Sequence, residues 1–373
     1  MLKKRDSFSA FYTESVNSGA QDVIQLLKQS KSPLILGIWG MPGIGKSSIV
    51  HAIYNQIGPY FEHMSFLENV EGLWKDKCQV YLQEELIFQI DEQFEENIPT
   101  IETRRVILKE KLRHKRVLLI LDNVDKLDQL KALCGNREWF GPGSKIIITT
   151  RDRHLLKEHG VDYMYGVKEL DESESLELFN LGAFRQATSH EGFAELSRQV
   201  VTYSGGLPLA LKVLGSNLHS KRVDFWESEL HLLKMFPLQE VQRVLEDSFN
   251  DLSDEERRIF LDIALFFIGM NQNDVLETLN RSTQCTALQI SLLEDKSLVT
   301  IDENDNLQMH VLLQSMARDV IRQKSSNKTD QVSVKECVCV CVCLSMIFRL
   351  SLFEVSSMYG FLVPKYITKK EAK

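Results

Sequence analysis

Residues 34–48 read LILGIWGMPGIGKSS. An apolar run ends on a glycine-rich turn and enters a segment, KSSIVHAIYNQI (46–57), that sets Ile49, Ile53 and Ile57 on one helical face. The loop matches G-x-x-x-x-G-K-[ST] through Gly40, Gly45, Lys46 and Ser47. Glycines let the backbone curl so that its N–H groups converge on phosphate oxygens. Lys46 would bring positive charge to the terminal phosphates, and the Ser47 hydroxyl can ligate Mg²⁺. The following helix directs its positive end at the anion. A chance glycine-rich turn would not carry this strand–loop–helix context.

Working outward, QDVIQLLKQ (21–29) has helical spacing. MSFLENV (64–70), RVLLILD (116–122) and SKIIITT (144–150) are strand-like, and VYLQEELIFQI and RRVILKEKL are helical. Alternation of helices with fully apolar strands predicts a parallel sheet covered on both faces, an α/β P-loop NTPase domain. Beyond residue 170 the strand signals fade. ESLELFNLGAF, GFAELSRQVVTYS and LPLALKVLGSNL predict a small helical domain. Further helices and the hairpin pattern SLVTIDENDNLQMH (297–310) predict a winged helix. The expected divisions are a linker over 1–19, the nucleotide-binding domain over 20–160, a helical domain over 161–235, the winged-helix domain over 236–325 and a divergent tail over 326–373. No repeat of solenoid period is present.

RVLLILDNVD places Asp122 at a strand end, where a carboxylate partners the P-loop hydroxyl on Mg²⁺. The next residue is Asn123. An amide hydrogen-bonds water but takes no proton from it at neutral pH, which counts against efficient hydrolysis. Asp125 is the substitute candidate. Arg151 ends the next strand, where a cation can reach a γ-phosphate; a surface ion pair is the plainer alternative.

The 373 residues carry a formal net charge of -8, with 43% hydrophobic and 26% charged residues. That is an ordinary globular composition, and the acidic balance argues against holding nucleic acid by bulk electrostatics, while leaving room for a small basic patch. No apolar run is long enough to span a membrane, and the basic start lacks the apolar core of a secretion signal. Cys78, Cys134 and Cys285 are scattered singly, as in a reducing cytosol. CVCVCVC (337–343) is read as translated dinucleotide-repeat sequence rather than a zinc site, whose cysteines are commonly spaced C-x₂₋₄-C. It is also β-prone and an aggregation hazard.

Seven stretches then fall into a known order: GIWGMPGIGKSS, RVLLILDNVD, WFGPGSKIIITTRDRHLL, YGVKELDESESLELFNLGAF, GGLPLALKVLGS, IFLDIALFF and MHVLLQSMARDVI. Over roughly 20–322 the sequence resembles the NB-ARC region of plant intracellular immune receptors, most closely the class with an N-terminal Toll/interleukin-receptor-like domain. The resemblance implies a three-part module closed around ADP, opened by exchange for ATP, that oligomerises and signals in innate immunity. It implies phosphate contacts from Gly40, Gly43, Ile44, Gly45, Lys46, Ser47 and Ser48, Mg²⁺ at Ser47 and Asp122, γ-phosphate sensing by Arg151, adenine packing by Pro208 and a β-phosphate contact from His310. As residues alone, Pro208 is also a helix-start proline, and His310 a structural histidine.

The sequence departs from the family pattern at Val311, where MHD reads Met309-His310-Val311, and at Asn123. The first departure predicts a weakened resting state. ESVNSGAQDV lacks the family's adenine-side sequence, which puts base contacts there in doubt. Neither a signalling domain, and hence no NAD-hydrolase, nor leucine-rich repeats is visible. The expected function is an ADP/ATP switch with at most slow ATPase activity. The alternatives are an adaptor or decoy pairing with full-length receptors, or an active P-loop ATPase. Self-association, a cytoplasmic location with the nucleus as alternative, and the absence of a membrane span complete the expectation.

Overall fold

In a computed structural model of the chain, residues 13–29, 32–91, 100–189, 192–235, 237–280 and 286–326 are described. The cysteine-rich stretch 337–343 and Cys285 lie outside them.

The strands are β1 (Leu34–Trp39), β2 (His63–Leu67), β3 (Val117–Val124), β4 (Lys145–Thr150), β5 (Tyr163–Gly166) and the short β6 (Thr300–Ile301) and β7 (Leu307–Gln308). The first five form one sheet in the order β2-β3-β4-β1-β5, and every pairing in it is parallel. Successive side chains alternate between two cores, as strand geometry requires. Leu34, Leu36, Ile38, Leu118, Ile120 and Ile147 pack under the helices Glu14–Lys28 and Lys46–Ile57. Ile35, Val117, Leu119, Leu121, Ile146 and Ile148 pack under the helices at Val70–Ile90, Ile101–Arg113, Leu127–Leu133 and Arg153–His159. Burial on both sides explains the unbroken apolar runs Val117–Leu121 of β3 and Ile146–Ile148 of β4 and the wholly non-polar β1.

Three details differ from the sequence expectation. The first helix begins at Glu14, so residues 14–19 belong to it rather than to a linker; Gly19, Ala20 and Val23 are buried against the domain. The strand over MSFLENV stops at Leu67, because Asn69 takes a left-handed conformation (φ 50°) and caps the next helix through the Gly72 N–H. The sheet also continues past residue 160 into β5, an edge strand with Met164 45% exposed. A four-residue, half-exposed edge strand lacks the apolar run that marks its neighbours.

The helices Glu172–Phe184, Ala194–Ser204, Pro208–Leu218 and Val223–Met235 share a separate core. Its centre is the buried Trp226, whose indole N–H donates to the Leu218 carbonyl at 3.0 Å. The helices Gln239–Asn250, Asp254–Asp262, Gln272–Asn280, Thr286–Asp295 and Val311–Ser326 surround the last core, with a π-helical turn over Ile263–Phe267. The wing is the antiparallel pair β6–β7. Asp302 closes its turn by accepting the Asn306 backbone N–H, the Gln308 side-chain amide and the Asn304 backbone N–H, which hold its carboxyl down at about 2. Among the described residues no helix is long and apolar enough to cross a membrane.

Candidate functional site

The loop after β1 sits at the carboxyl edge of the sheet, where an open α/β fold leaves its crevice. Gly43 and Gly45 adopt φ of 79° and 102°, conformations that favour glycine. At Gly43 a side chain is excluded twice, because a Cβ there would lie 2.8 Å from the Leu209 Cβ. The Gly43 carbonyl accepts the Leu209 N–H at 3.2 Å, tying the loop to the helix that Pro208 begins.

Lys46 is only 8% exposed, and its Nζ donates to the carbonyls of Gly40 and Met41 at 2.7 and 3.0 Å. Burial, reinforced by the nearby Arg151 charge and opposed by Asp122, pushes its ammonium down to about 7. A buried cation whose hydrogen bonds go to neutral carbonyls is under-compensated, and a phosphate would complete it. The Ser47 hydroxyl lies 2.9 and 3.0 Å from the two oxygens of Asp122, and the Thr149 hydroxyl donates to Asp122 at 2.6 Å. Thr149 in turn accepts the Asn123 N–H at 2.8 Å. A hydroxyl and a carboxylate meeting beside the loop are the hard oxygen donors that suit Mg²⁺.

Ile44, Gly45, Ser48 and Pro208 line a cavity of about 360 Å³. Thr13, which precedes the first helix, and Ser15, Gly19 and Asp22 within it line the cavity too, so ESVNSGAQDV does border this space despite its unfamiliar sequence. Arg151, Asn123 and Asp125 face a second cavity of about 410 Å³, between the sheet edge and Ser248, Asp251 and Lys296. Arg151 is ion-paired there with Glu71 at 3.0 Å and donates to the Ser248 hydroxyl at 3.0 Å. Asn123 sits at a β-bulge in the left-handed region (φ 59°) and aims its amide at Asn69 and Glu71, 3.1 and 3.0 Å away. Asp125 accepts the Gln129 side-chain amide at 2.6 Å.

His310 follows β7. Its Nδ1 accepts the Leu312 N–H at 3.2 Å, which leaves the proton of the neutral ring on Nε2, 2.9 Å from the Gly205 carbonyl oxygen. The ring is thus oriented by backbone groups. Val311 is 42% exposed at the start of the next helix and abuts Gly205. Gly205, at φ 57°, has no room for a side chain: a Cβ there would stand 2.6 Å from Val311 and 2.9 Å from His310 Nε2.

Sequence reasoning did not single out Glu71 or Thr149. The paired threonines closing β4 beside Asp122 were a legible signal for Thr149. Glu71 lies in an ordinary charged helix start, and only the folded chain brings it to Arg151.

A five-stranded parallel sheet in this order, a phosphate loop after β1 and a hydroxyl–carboxylate pair bridging to the end of β3 define a P-loop NTPase fold. A Walker-type ATPase of Pyrococcus abyssi shares it, with a TM-score of 0.51 and 15% identity over 81% of this chain and 95% of that one. Residues 16–189 match the NB-ARC domain family, and residues 253–325 match the winged-helix domain of Roq1-like disease resistance proteins. The chain belongs to the NB-ARC plant disease resistance family, and it carries that family's nucleotide-binding domain. It is 39% identical over 302 residues to disease resistance protein RPV1 of Vitis rotundifolia, covering 81% of this chain and 22% of that protein. It is 38% identical over 320 residues to RUN1 of the same species, covering 85% and 24%. TMV resistance protein N of Nicotiana glutinosa is 36% identical over 295 residues, covering 77% and 25%. The chain thus spans about a quarter of the length of these relatives.

Proposed function

We propose that this chain is a nucleotide-state switch of plant innate immunity, holding ADP in a closed arrangement and opening when ATP replaces it. The observation that carries this reading is a chain of contacts around the phosphate loop. Gly43 is bonded to Leu209 in the helical part, Gly205 of that part to His310 of the winged helix, and Ser248 back to Arg151 at the sheet edge. A ligand shifts such an equilibrium only through contacts that differ between the two states.

In this reading the loop N–H groups of Gly40, Gly43, Ile44, Gly45, Ser47 and Ser48 receive the phosphates, and Lys46 supplies the charge. Ser47 and Asp122 hold Mg²⁺, with Thr149 fixing the carboxylate. The bound nucleotide and its metal supply a compact, partly neutralised polyanion. Pro208 packs on the adenine, Arg151 meets a third phosphate and His310 contacts the β-phosphate in the closed arrangement alone. The amide of Asn123 is turned to Glu71 and accepts no proton, and Asp125 is held by Gln129. Both support at most slow hydrolysis. Self-association or pairing with full-length receptors in the cytoplasm would follow opening.

Chromatography of nucleotide released from the denatured, purified protein tests the reading. ADP is expected, at about one per chain. A site that is empty and takes up no added ADP overturns it.

A further inference from the structure

The guanidinium of Arg151 is gripped from two sides. Glu71 Oε2 accepts from Nη2 at 3.0 Å, and the Ser248 hydroxyl accepts from Nη1 at 3.0 Å. The Glu71 carboxylate is itself fixed. Its Oε1 accepts from Lys75 at 2.8 Å and its Oε2 from the Asn123 amide at 3.0 Å. The helix start that carries it is anchored by Asn69, whose Oδ1 receives both the Gly72 N–H and the Asn123 amide. Burial alone would raise the Glu71 carboxyl, but Lys75, Arg151 and Asn123 outweigh it and hold the group below the usual carboxylate range.

Arg151 also stands near the phosphate loop. Its residue follows Thr150, which pairs with Trp39 at the end of β1, and its charge reaches Lys46. Glu71 engages the guanidinium through Nη2 and Ser248 through Nη1, so a phosphate that takes the planar Nη1/Nη2 edge bidentately competes with both for the same N–H donors.

We propose that Glu71 sets the preference between nucleoside diphosphate and triphosphate by competing with the third phosphate for the Arg151 guanidinium. A diphosphate leaves the Glu71–Arg151 pair intact. A triphosphate must draw Arg151 away from Glu71, and in doing so releases Ser248 as well. The carboxylate thus weakens triphosphate binding selectively and couples its arrival to the winged-helix side of the cleft. This inference rests on the reading of Arg151 as the residue that meets a third phosphate.

Calorimetric titration of the full chain with ADP and with a non-hydrolysable ATP analogue, both with Mg²⁺, tests it. Glu71→Gln keeps the side-chain shape and removes the competing charge. It is expected to tighten analogue binding about tenfold, which corresponds to about 1.4 kcal/mol, while ADP affinity stays within a factor of two of wild type. Glu71→Asp, which draws the oxygens back by one methylene, is expected to move the ratio the same way by less, and decides the matter if the glutamine variant does not fold. In an Arg151→Ala background the Glu71 substitutions are expected to change neither affinity. A residue that merely supports the fold would move both nucleotides together. Unchanged discrimination in both Glu71 variants, with Arg151→Ala altering it, overturns the role of Glu71 alone. Unchanged discrimination in Arg151→Ala overturns the reading of Arg151 and the inference with it.

Discussion

The Nε2–H of His310 points at the carbonyl oxygen of Gly205 at 2.9 Å, joining the winged helix to the turn that introduces Pro208. Burial holds the imidazole below its usual 6.5, against smaller opposing effects of the Gly205 carbonyl and Glu169. The ring is therefore neutral at pH 7, and its Nδ1 is free to accept from Leu312. A proton on Nδ1 would face that N–H and break the arrangement. Because the folded value is depressed, the unfolded or opened chain takes the proton first as pH falls below 6.5, and the closed form loses stability there. His310→Ala is expected to speed ADP release about three- to tenfold, the range of one net hydrogen bond. Release from wild type is expected to be faster at pH 5.5 than at 7.5, with the His310→Gln variant showing less of this difference. Stopped-flow release of a fluorescent ADP measures both.

Lys46 gives a pH effect of a different kind. Its ammonium is pushed down to about 7 by burial and by Arg151. Above that pH the free protein has lost the proton that phosphate requires. Binding must then take a proton up, and affinity for ADP is expected to fall up to about tenfold for each pH unit above 7. Titration calorimetry at pH 8 in two buffers of unlike ionisation enthalpy checks this, since the apparent heats must differ by the proton taken up. Equal heats would mean that Lys46 is already charged. Lys46→Ala is expected to lose binding at every pH.

Asp295 joins the winged helix to the segment after β4. It accepts from Arg153 Nε at 2.9 Å and from Lys157 Nζ at 2.8 Å. Burial would raise its carboxyl, yet the two cations hold it below the usual value. A depressed carboxylate stabilises the fold above its unfolded value and ceases to do so as pH falls through the folded one. At neutral pH the full effect is present. Asp295→Asn is expected to cost about 1–2 kcal/mol, between the exposed and buried ion-pair ranges. Its thermal midpoint should also depend less on salt than that of wild type. Equal melting curves for the two proteins at low salt would refute the role of this pair.

The apolar strands β1, β3 and β4 and the phosphate loop were legible because each is a local pattern: a doubly buried strand must be apolar along its length, and the loop needs its glycines and lysine in sequence. The P-loop fold followed from these alone. The edge strand β5 was not legible, since Tyr163–Gly166 is only half buried and carries neither signature. The immediate surroundings of Arg151 and His310 were hidden for another reason. Glu71 and Arg151 are separated by 80 residues, and His310 and Gly205 by 105, so their partners are chosen by packing rather than by neighbouring sequence. Val311 shows the same limit. The groups that orient the neighbouring His310 ring, the Leu312 N–H and the Gly205 carbonyl, are backbone atoms that no residue type announces.

Gly43 allows two causes of one defect to be separated. Its backbone is left-handed at φ 79°, and a Cβ would press on the Leu209 Cβ from 2.8 Å. Gly43→Ala therefore meets both backbone strain and a clash with the helical part. The strain costs about 1–3 kcal/mol in a non-glycine residue, and the clash adds to it by moving Leu209 away from the loop. ADP affinity of Gly43→Ala is expected to fall at least about tenfold. Reverting the clash alone is not achieved by Leu209→Ala, because the Cβ it must avoid remains. Leu209→Gly removes that atom, at the cost of about 1 kcal/mol for glycine in a helix. In the Gly43→Ala/Leu209→Gly double variant, ADP affinity is expected to recover part of the loss, and the part that remains measures the strain in the loop. Full recovery would show that the left-handed backbone is not required for phosphate binding. No recovery would show that contact with Leu209 contributes nothing to the cradle.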